Sequence, residues 1–353
     1  MNRSIMGWDI GGAHLKAARL NQHGLIDFTR QEACPLWLGL DQLDHSLDRM
    51  LTALAGDLPV HHAITMTGEL ADNFHSREEG VMALSAAMTR RLGSERVKVF
   101  AGDKALIPAG QLKLQDTPKV ASANWLASGL WVASCLKEAM FVDVGSTTTD
   151  ILVIADHQAL HRGYTDSERM GYDELLYSGI VRTPAMMLAR RVPLGGTWSG
   201  VMAELFASAA DVYRLTGELP EQADQMPAAD HGSKTPEGSR QRLARQFGRD
   251  AGSLPEGSWE KLAVYLRECQ LATLLDALEL QISRGLISGS APLIGAGIGR
   301  FLIKTMASRL ERPYLDFGSL FSASTRLTEF EIADCGPAAA VACLALRELN
   351  QSP

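Results

Sequence analysis

Cysteine is scarce and scattered. Five residues (Cys34, Cys135, Cys269, Cys335 and Cys343) occur in 353, with no CxxC pair, so the sequence supports neither a zinc knuckle nor a disulfide framework. A reducing compartment fits that usage best. Basic charge is also short: Lys and Arg total 34 against 41 acidic residues, a net charge of -7, and no basic run is present. That argues against an electrostatic grip on nucleic acid. No stretch reaches the roughly 18 uncharged residues of a membrane helix, because the most apolar one, Gly129 to Gly145, is broken by Lys137 and Glu138. Met1-Asn2-Arg3-Ser4 runs straight into a strand-like segment with no secretory pattern, so the expectation is a cytoplasmic protein without membrane or nucleic-acid partners. Hydrophobic residues at 46% and charged residues at 21% are what a soluble globular chain carries, and the length suits about two domains.

Ser4–Asp9 is a short apolar run that ends on an aspartate and Gly11-Gly12, and His14–Leu20 follows as a second strand. Much later Ala139–Val142 leads into Asp143-Val144-Gly145-Ser146 and the strand-like Asp150–Ile154. Asp-Ile-Gly-Gly and Asp-Val-Gly-Ser read as two copies of one strand–turn–strand device, each opening a lobe. Between them helix-like stretches (Gly39–Leu54, Glu79–Leu92) alternate with strand-like runs (His62–Met66, Val97–Phe100), which argues for α/β layers. Beyond the second device, Met170–Val181 and Gly200–Leu215 read as helices. The Pro- and Gly-rich segment 217–257 reads as an irregular insertion with one short helix, Gly238–Phe247. Trp259–Ser283 carries leucines at helical spacing. Ala291–Ile294 is a strand into Gly295-Ala296-Gly297-Ile298-Gly299, the helix Arg300–Leu310 follows, and Ala338–Leu349 is a closing helix.

Glycine-rich turns present backbone amides that cradle phosphate, and a carboxylate at the strand end can hold Mg²⁺, usually through water. Gly11 and Gly12 after Asp9 have that form, though an ordinary hairpin with an exposed aspartate has it too. The second copy is richer. After Gly145, the four residues Ser146, Thr147, Thr148 and Thr149 supply hydroxyl donors for phosphate oxygens, and the bounding Asp143 and Asp150 supply carboxylates for a cation.

These two hairpins, the late Gly295–Gly299 loop and the Ala-rich final helix resemble the actin/Hsp70/sugar-kinase superfamily. The resemblance implies an α/β, two-lobed fold with ribonuclease H-like lobes and a central cleft, where the hairpins contact phosphates and the late loop contacts adenosine. In detail, Gly7-Trp8-Asp9-Ile10-Gly11-Gly12-Ala13-His14-Leu15-Lys16, Thr65 to Asp72, Phe141 to Asp150 and Gly171-Tyr172 to Pro184 resemble the hydantoinase/oxoprolinase branch. Within it they resemble the condensing enzymes of methanofuran biosynthesis, across nearly the whole chain. That family joins an aminomethylfuran-methyl diphosphate to γ-glutamyltyramine, forming an aryl ether and releasing diphosphate. The implied lobes are 1–134 with 335–353, and 135–334. The implied partners are a small diphosphate ester and a phenolic amine, and a homo-oligomer is compatible with the sequence. Mg²⁺ is the expected cofactor. ATP enters only under the alternative reading, an ATP-dependent small-molecule kinase or hydantoinase-like hydrolase.

Other candidates remain open between function and scaffold. Gly295 and Gly297 fit the superfamily's nucleotide loop. A dinucleotide fingerprint would use Asp316 at roughly the 20-residue ribose distance, but its third position is Arg300. Glu69 or Asp72, after a strand, could take a proton from a phenol or contact an amine; equally, Thr67 could be a helix cap with both acids in its first turn. Arg169 and Arg182 could grip diphosphate bidentately, or the segment from Asp166 and Ser167 could be a solvated helix start. Lys16 could reach a phosphate across the first hairpin. His14 reads as hairpin packing, His61-His62 as a strand start, Asn124-Trp125 as cleft wall or core, and Asp230-His231 as a loop that a substrate could touch. The expected machinery is therefore Asp9, Asp143 and Glu69 as catalytic groups and Asp9, Asp143 and Asp150 around a metal. Phosphate would fall to Gly11, Gly12, Lys16, Gly145, Ser146, Thr147, Thr148, Arg169, Arg182, Gly295 and Gly297.

Overall fold

A computed structural model describes residues 4–54, 61–104, 106–324 and 330–351. Its first sheet holds β1 (Ile5–Ile10), β2 (His14–Leu20), β3 (Ile26–Ala33), β4 (His61–Met66), β5 (Val97–Phe100) and β6 (Leu106–Pro108), in the order β3-β2-β1-β4-β5-β6. β1 is antiparallel to β2 and parallel to β4, so the hairpin and a crossover strand share one centre. Every residue of β1 is buried, as expected of a strand covered on both faces. Helices Asp41–Ala53 and Arg77–Leu92 pack their apolar sides on this sheet, where Leu43, Leu47, Met50, Val81, Leu84 and Met88 join Trp8, Ile10 and Ile64 in one core. The closing helix Gly336–Gln351 lies over β1. A Cβ on Gly7 would stand 1.9 Å from the Ala338 carbonyl oxygen, so only glycine admits the helix there.

The remaining strands are β7 (Ala139–Val144), β8 (Thr149–Ala155), β9 (Gln158–Leu160), β10 (Leu175–Leu176), β11 (Arg191–Leu194), β12 (Thr197–Gly200), β13 (Leu293–Ala296) and β14 (Tyr314–Asp316). A second sheet runs β10-β8-β7-β13-β14 with β9 paired to β8, and β11 with β12 forms a separate hairpin. By contacts the chain divides into one unit of residues 1–141, 152–168 and 315–353 and another of residues 142–151 and 169–314.

In the second unit a core of Val192, Leu194, Val212, Leu243, Leu262 and Leu266 gathers around the long helix Ser258–Ile282. The insertion is held by charge. Arg242, 1% exposed, donates to Asp211 and to Asp230, and Arg245 also reaches Asp230. Asp230 thus serves the scaffold of its loop. Among the described residues no helix is long and apolar enough to cross a membrane.

Two helices expected from the sequence are absent or cut short. Residues 170–181 form only the end of the short helix Asp166–Gly171, the two-residue β10 and a turn. Their amides are taken by the second hairpin: Ile180 and Val181 donate to the carbonyls of Gly145 and Ser146. Residues 201–208 are likewise irregular, and the helix begins at Ala209, where Ser208 and Asp211 form a capping box.

Candidate active site

The two glycine turns are built alike. The Gly11 amide donates to the His14 carbonyl at 2.9 Å, and the Gly145 amide donates to the Thr148 carbonyl at 2.9 Å. The repeat seen in the sequence is therefore a repeat in hydrogen bonding. Both turns are open. A Cβ on Gly12 would meet nothing within 4 Å, and one on Gly145 only the Thr148 carbonyl oxygen at 3.4 Å.

In the first unit the turn sits beside the segment after β4. The Thr67 amide donates to the Ile10 carbonyl, and a Cβ on Gly68 would lie 3.3 Å from the Gly11 carbonyl carbon. Thr67 stands at the head of a single 3-10 turn, residues 68–70, with no side-chain cap hydrogen bond, and the next helix is capped by Ser76, which accepts from the Glu79 amide. This turn lowers Glu69 into the protein. Gly80 makes room, since a Cβ there would come within 2.5 Å of the Glu69 carbonyl oxygen.

Glu69 is 1% exposed. Its Oε1 accepts from the Ser122 hydroxyl at 2.8 Å, while Oε2 is buried with no hydrogen-bond partner. Burial pushes its carboxyl up from 4.5 to about 7, against the Ser122 hydrogen bond and the Arg77 charge, which favour the carboxylate. Two residues beyond Ser122, the Asn124 side-chain amide reaches Asp9 Oδ1 at 3.4 Å. Asp9 is buried, and Lys16, half-buried, is its partner across the β1–β2 ladder. Asp9, Lys16, Gly11, Gly12 and Glu69 therefore belong to one neighbourhood. Asp72 is exposed. His14 is buried in β2, and His62 is buried in β4 accepting from the Trp8 indole at 3.3 Å. Burial pushes His62 down to about 4, which keeps it neutral and structural.

In the second unit, the hairpin meets the late glycine loop. A Cβ on Gly297, whose φ is +77°, would stand 2.3 Å from Asp143 Oδ1 and from the Val144 carbonyl oxygen. The Gly299 amide donates to that same carbonyl. Sequence-distant Gly297 and Asp143 are thus in contact through an approach that only glycine permits. Gly295 instead abuts the Tyr314 ring, and no sequence reading anticipated that. Arg182 is exposed and its guanidinium lies 3.5 Å from the Thr147 hydroxyl, which is 3.4 Å from Ser146 Oγ.

Arg169 and Asp150 meet each other. The guanidinium is 1% exposed, donates to Asp150 at 2.7 Å and to the Glu174 carbonyl at 2.8 Å, and so braces the hairpin from behind. Asp166, a candidate helix cap in the sequence, pairs with Arg77 at 2.6 Å in the first unit.

Sequence reasoning did not anticipate Ser122, Arg77 or Gly179 as parts of these sites. A Cβ on Gly179 would clash at 2.5 Å with the Ser146–Thr147 peptide, so this glycine lets the supporting loop lie against the turn. Nothing local marks these residues, because their partners are tens of residues away.

Among the described residues no group of three or more His, Cys, Asp and Glu gathers.

Comparison with known proteins follows the same lines. The Hydantoinase/oxoprolinase family model matches residues 61–323, well over half of the chain. A relative from Methanocaldococcus jannaschii is 29% identical over 246 residues, covering 69% of this chain and 72% of its own. It is named (4-{4-[2-(gamma-L-glutamylamino)ethyl]phenoxymethyl}furan-2-yl)methanamine synthase. A relative of the same name from Methanococcus vannielii is 37% identical over 102 residues, covering 29% of this chain and 42% of its own. Among solved structures, nucleotide-free acetone carboxylase aligns with a TM-score of 0.56 at 11% identity, covering 97% of this chain and 70% of that one. The fold is mixed α/β, with two compact units, and is shared with that acetone carboxylase chain.

Proposed function

The chain belongs to the hydantoinase/oxoprolinase family, and within it we propose an enzyme of methanofuran-type cofactor biosynthesis that joins an aminomethylfuran-methyl diphosphate to γ-glutamyltyramine. The observation that carries this reading is Glu69, a buried carboxyl poised near neutrality beside an open glycine turn. Aryl-ether formation needs amides for the departing diphosphate and a base for the phenol; a kinase would use the same two parts on its own hydroxyl substrate, so the choice between them rests on the relatives. The names of the two relatives, each a synthase of a phenoxymethylfuran, agree with that chemistry.

The reaction forms a bond between the phenol oxygen and the furan CH₂ and breaks the bond from that carbon to the diphosphate oxygen. Electron density from the ring supports positive charge on the CH₂ as diphosphate departs. The Gly11, Gly12 and Gly145 amides with the Ser146, Thr147 and Thr148 hydroxyls are the donors we assign to the phosphate oxygens. Lys16 and Arg182 supply charge. Asp9 and Asp143 are the carboxylates that would hold Mg²⁺, which supplies positive charge to the leaving group when bound. Glu69 accepts the phenolic proton at Oε2. A base with a pKa near the working pH is the effective choice, and a phenol near 10 gives up its proton only as the new bond forms. Asp150 and Arg169, paired in the structure, are assigned to holding the second turn, and Gly297 to backing Asp143.

The test is direct. Purified protein with Mg²⁺, γ-glutamyltyramine and the aminomethylfuran diphosphate, without nucleotide, should release diphosphate and form the aryl ether in equal amounts by mass spectrometry. An obligatory requirement for ATP with formation of ADP would establish the kinase or hydrolase alternative instead.

A further inference from the structure

We propose that Ser122 is a positioning residue whose hydroxyl aims the Glu69 carboxylate, with Arg77 and Asp166 forming a charge pair behind it that sets when Glu69 is ionised. This rests on the assignment of Glu69 as the base.

Three observations, all inside the first unit, lead there. Ser122 Oγ lies 2.8 Å from Glu69 Oε1 and 3.5 Å from Asp166 Oδ2, so its one proton goes to Glu69 and Asp166 stands within reach. Arg77 binds that same Asp166 oxygen at 2.6 Å. Arg77 thus donates to Asp166 and Ser122 to Glu69, the two bonds lying side by side with Asp166 Oδ2 3.5 Å from the serine oxygen, and the second oxygen of Glu69 is unpartnered. Ser122, 4% exposed, also has φ +50°, in a region that a non-glycine residue occupies at a cost. A strained serine is an expensive way to make a turn, and here it places a hydroxyl on a buried acid.

The groups that face Glu69 have opposed effects. Arg77, from the start of helix Arg77–Leu92, favours its ionised form, and Asp166, from helix Asp166–Gly171, disfavours it. The Ser122 bond favours ionisation as well. Glu78 and Glu79 in the same first turn are exposed, and Glu79 is engaged by the His75 amide. On the hairpin side Asp9 is engaged by Asn124 and stands opposite Lys16. Removing Ser122 or Arg77 therefore raises the pH at which Glu69 ionises, and neutralising Asp166 lowers it.

The experiment reads Glu69 itself as well as turnover. Protein labelled with ¹³C at glutamate carboxyls is titrated by NMR, with Glu69→Gln giving the assignment, and the pH profile of kcat/KM is recorded on the same variants. Ser122→Gly and Ser122→Ala should each move the Glu69 midpoint up by about one pH unit. Glycine relieves φ +50° and alanine does not, so the two differ in Tm while sharing the midpoint. Arg77→Gln should move it up, Asp166→Asn down, and the double variant should return close to the original. An unmoved midpoint in Ser122→Gly, or activities that follow Tm across the two serine variants, overturns the proposal. Midpoints that move while the acid limb of kcat/KM stays fixed uphold the positioning and overturn Glu69 as the base.

Discussion

Glu69→Gln separates function from stability, because a buried base that must ionise weakens the fold that carries it. Burial raises the Glu69 carboxyl from 4.5 in an unfolded chain to about 7 in the folded one. Below pH 4.5 both states hold the proton and the group contributes no pH dependence. Between 4.5 and 7 the unfolded chain loses its proton first, so stability falls with rising pH, and above 7 the loss levels off. At about 1.36 kcal/mol for each pKa unit, the ionised side chain costs the fold about 3 kcal/mol above pH 7. Glutamine never ionises. Its oxygen keeps the Ser122 hydrogen bond, and its amide nitrogen brings a buried donor that costs about 1–3 kcal/mol at every pH. The stability of the variant relative to the natural protein should therefore rise by about 2–3 kcal/mol between pH 5 and pH 8. Urea titrations at several pH values, followed by tryptophan fluorescence, read this difference. Condensation by the same variant should fall by about 10²- to 10⁴-fold, the usual worth of a general base. Parallel stability curves for the two proteins across that range would show that Glu69 ionises normally, and the argument for a base poised near neutrality would fail.

Asp143→Ala should leave the circular dichroism spectrum unchanged and reduce diphosphate release at least about 100-fold, since it removes a half-buried carboxylate from a turn and no core volume; near-normal turnover would refute its role. Arg169→Met should destabilise by about 3–5 kcal/mol in urea titration, because Asp150 would be left beside an apolar chain where a buried guanidinium had stood. A loss below about 1 kcal/mol would show that the pair does not brace the turn. Cys34, pushed up to about 11 by burial, and Cys335 and Cys343, pushed up to about 12, should resist thiol reagents at pH 8 in the folded protein. Cys135, partly exposed, should react first, and mass spectrometry of the alkylated protein would show the order.

The elements legible in the sequence are those whose signal is local. His14–Leu20 and Val97–Phe100 are strands over the expected residues, and the long helix at Ser258–Ile282 sits one residue from its expected start and end, because periodic leucines and strand alternation are properties of neighbours. The two glycine turns were also legible: each glycine follows a strand whose last residue but one is aspartate, and each makes the same amide-to-carbonyl bond. What tertiary structure decided is every relation across the chain. Residues 170–181 had helical composition, yet the Ile180 and Val181 amides bond to Gly145 and Ser146, a competition that no window of sequence contains. Arg169 and Asp150 read separately as ligands for phosphate and metal, and only folding shows that they pair with each other. Glu69 read equally well as a base or as an acid in a helix start. What folding added is its burial: a 3-10 turn lowers it into the protein, Gly80 admits it, and Ser122 brings a hydroxyl from more than fifty residues away. A carboxylate's chemistry is set by desolvation and by its partners, and both are properties of the packed interior, which the order of residues along the chain does not display.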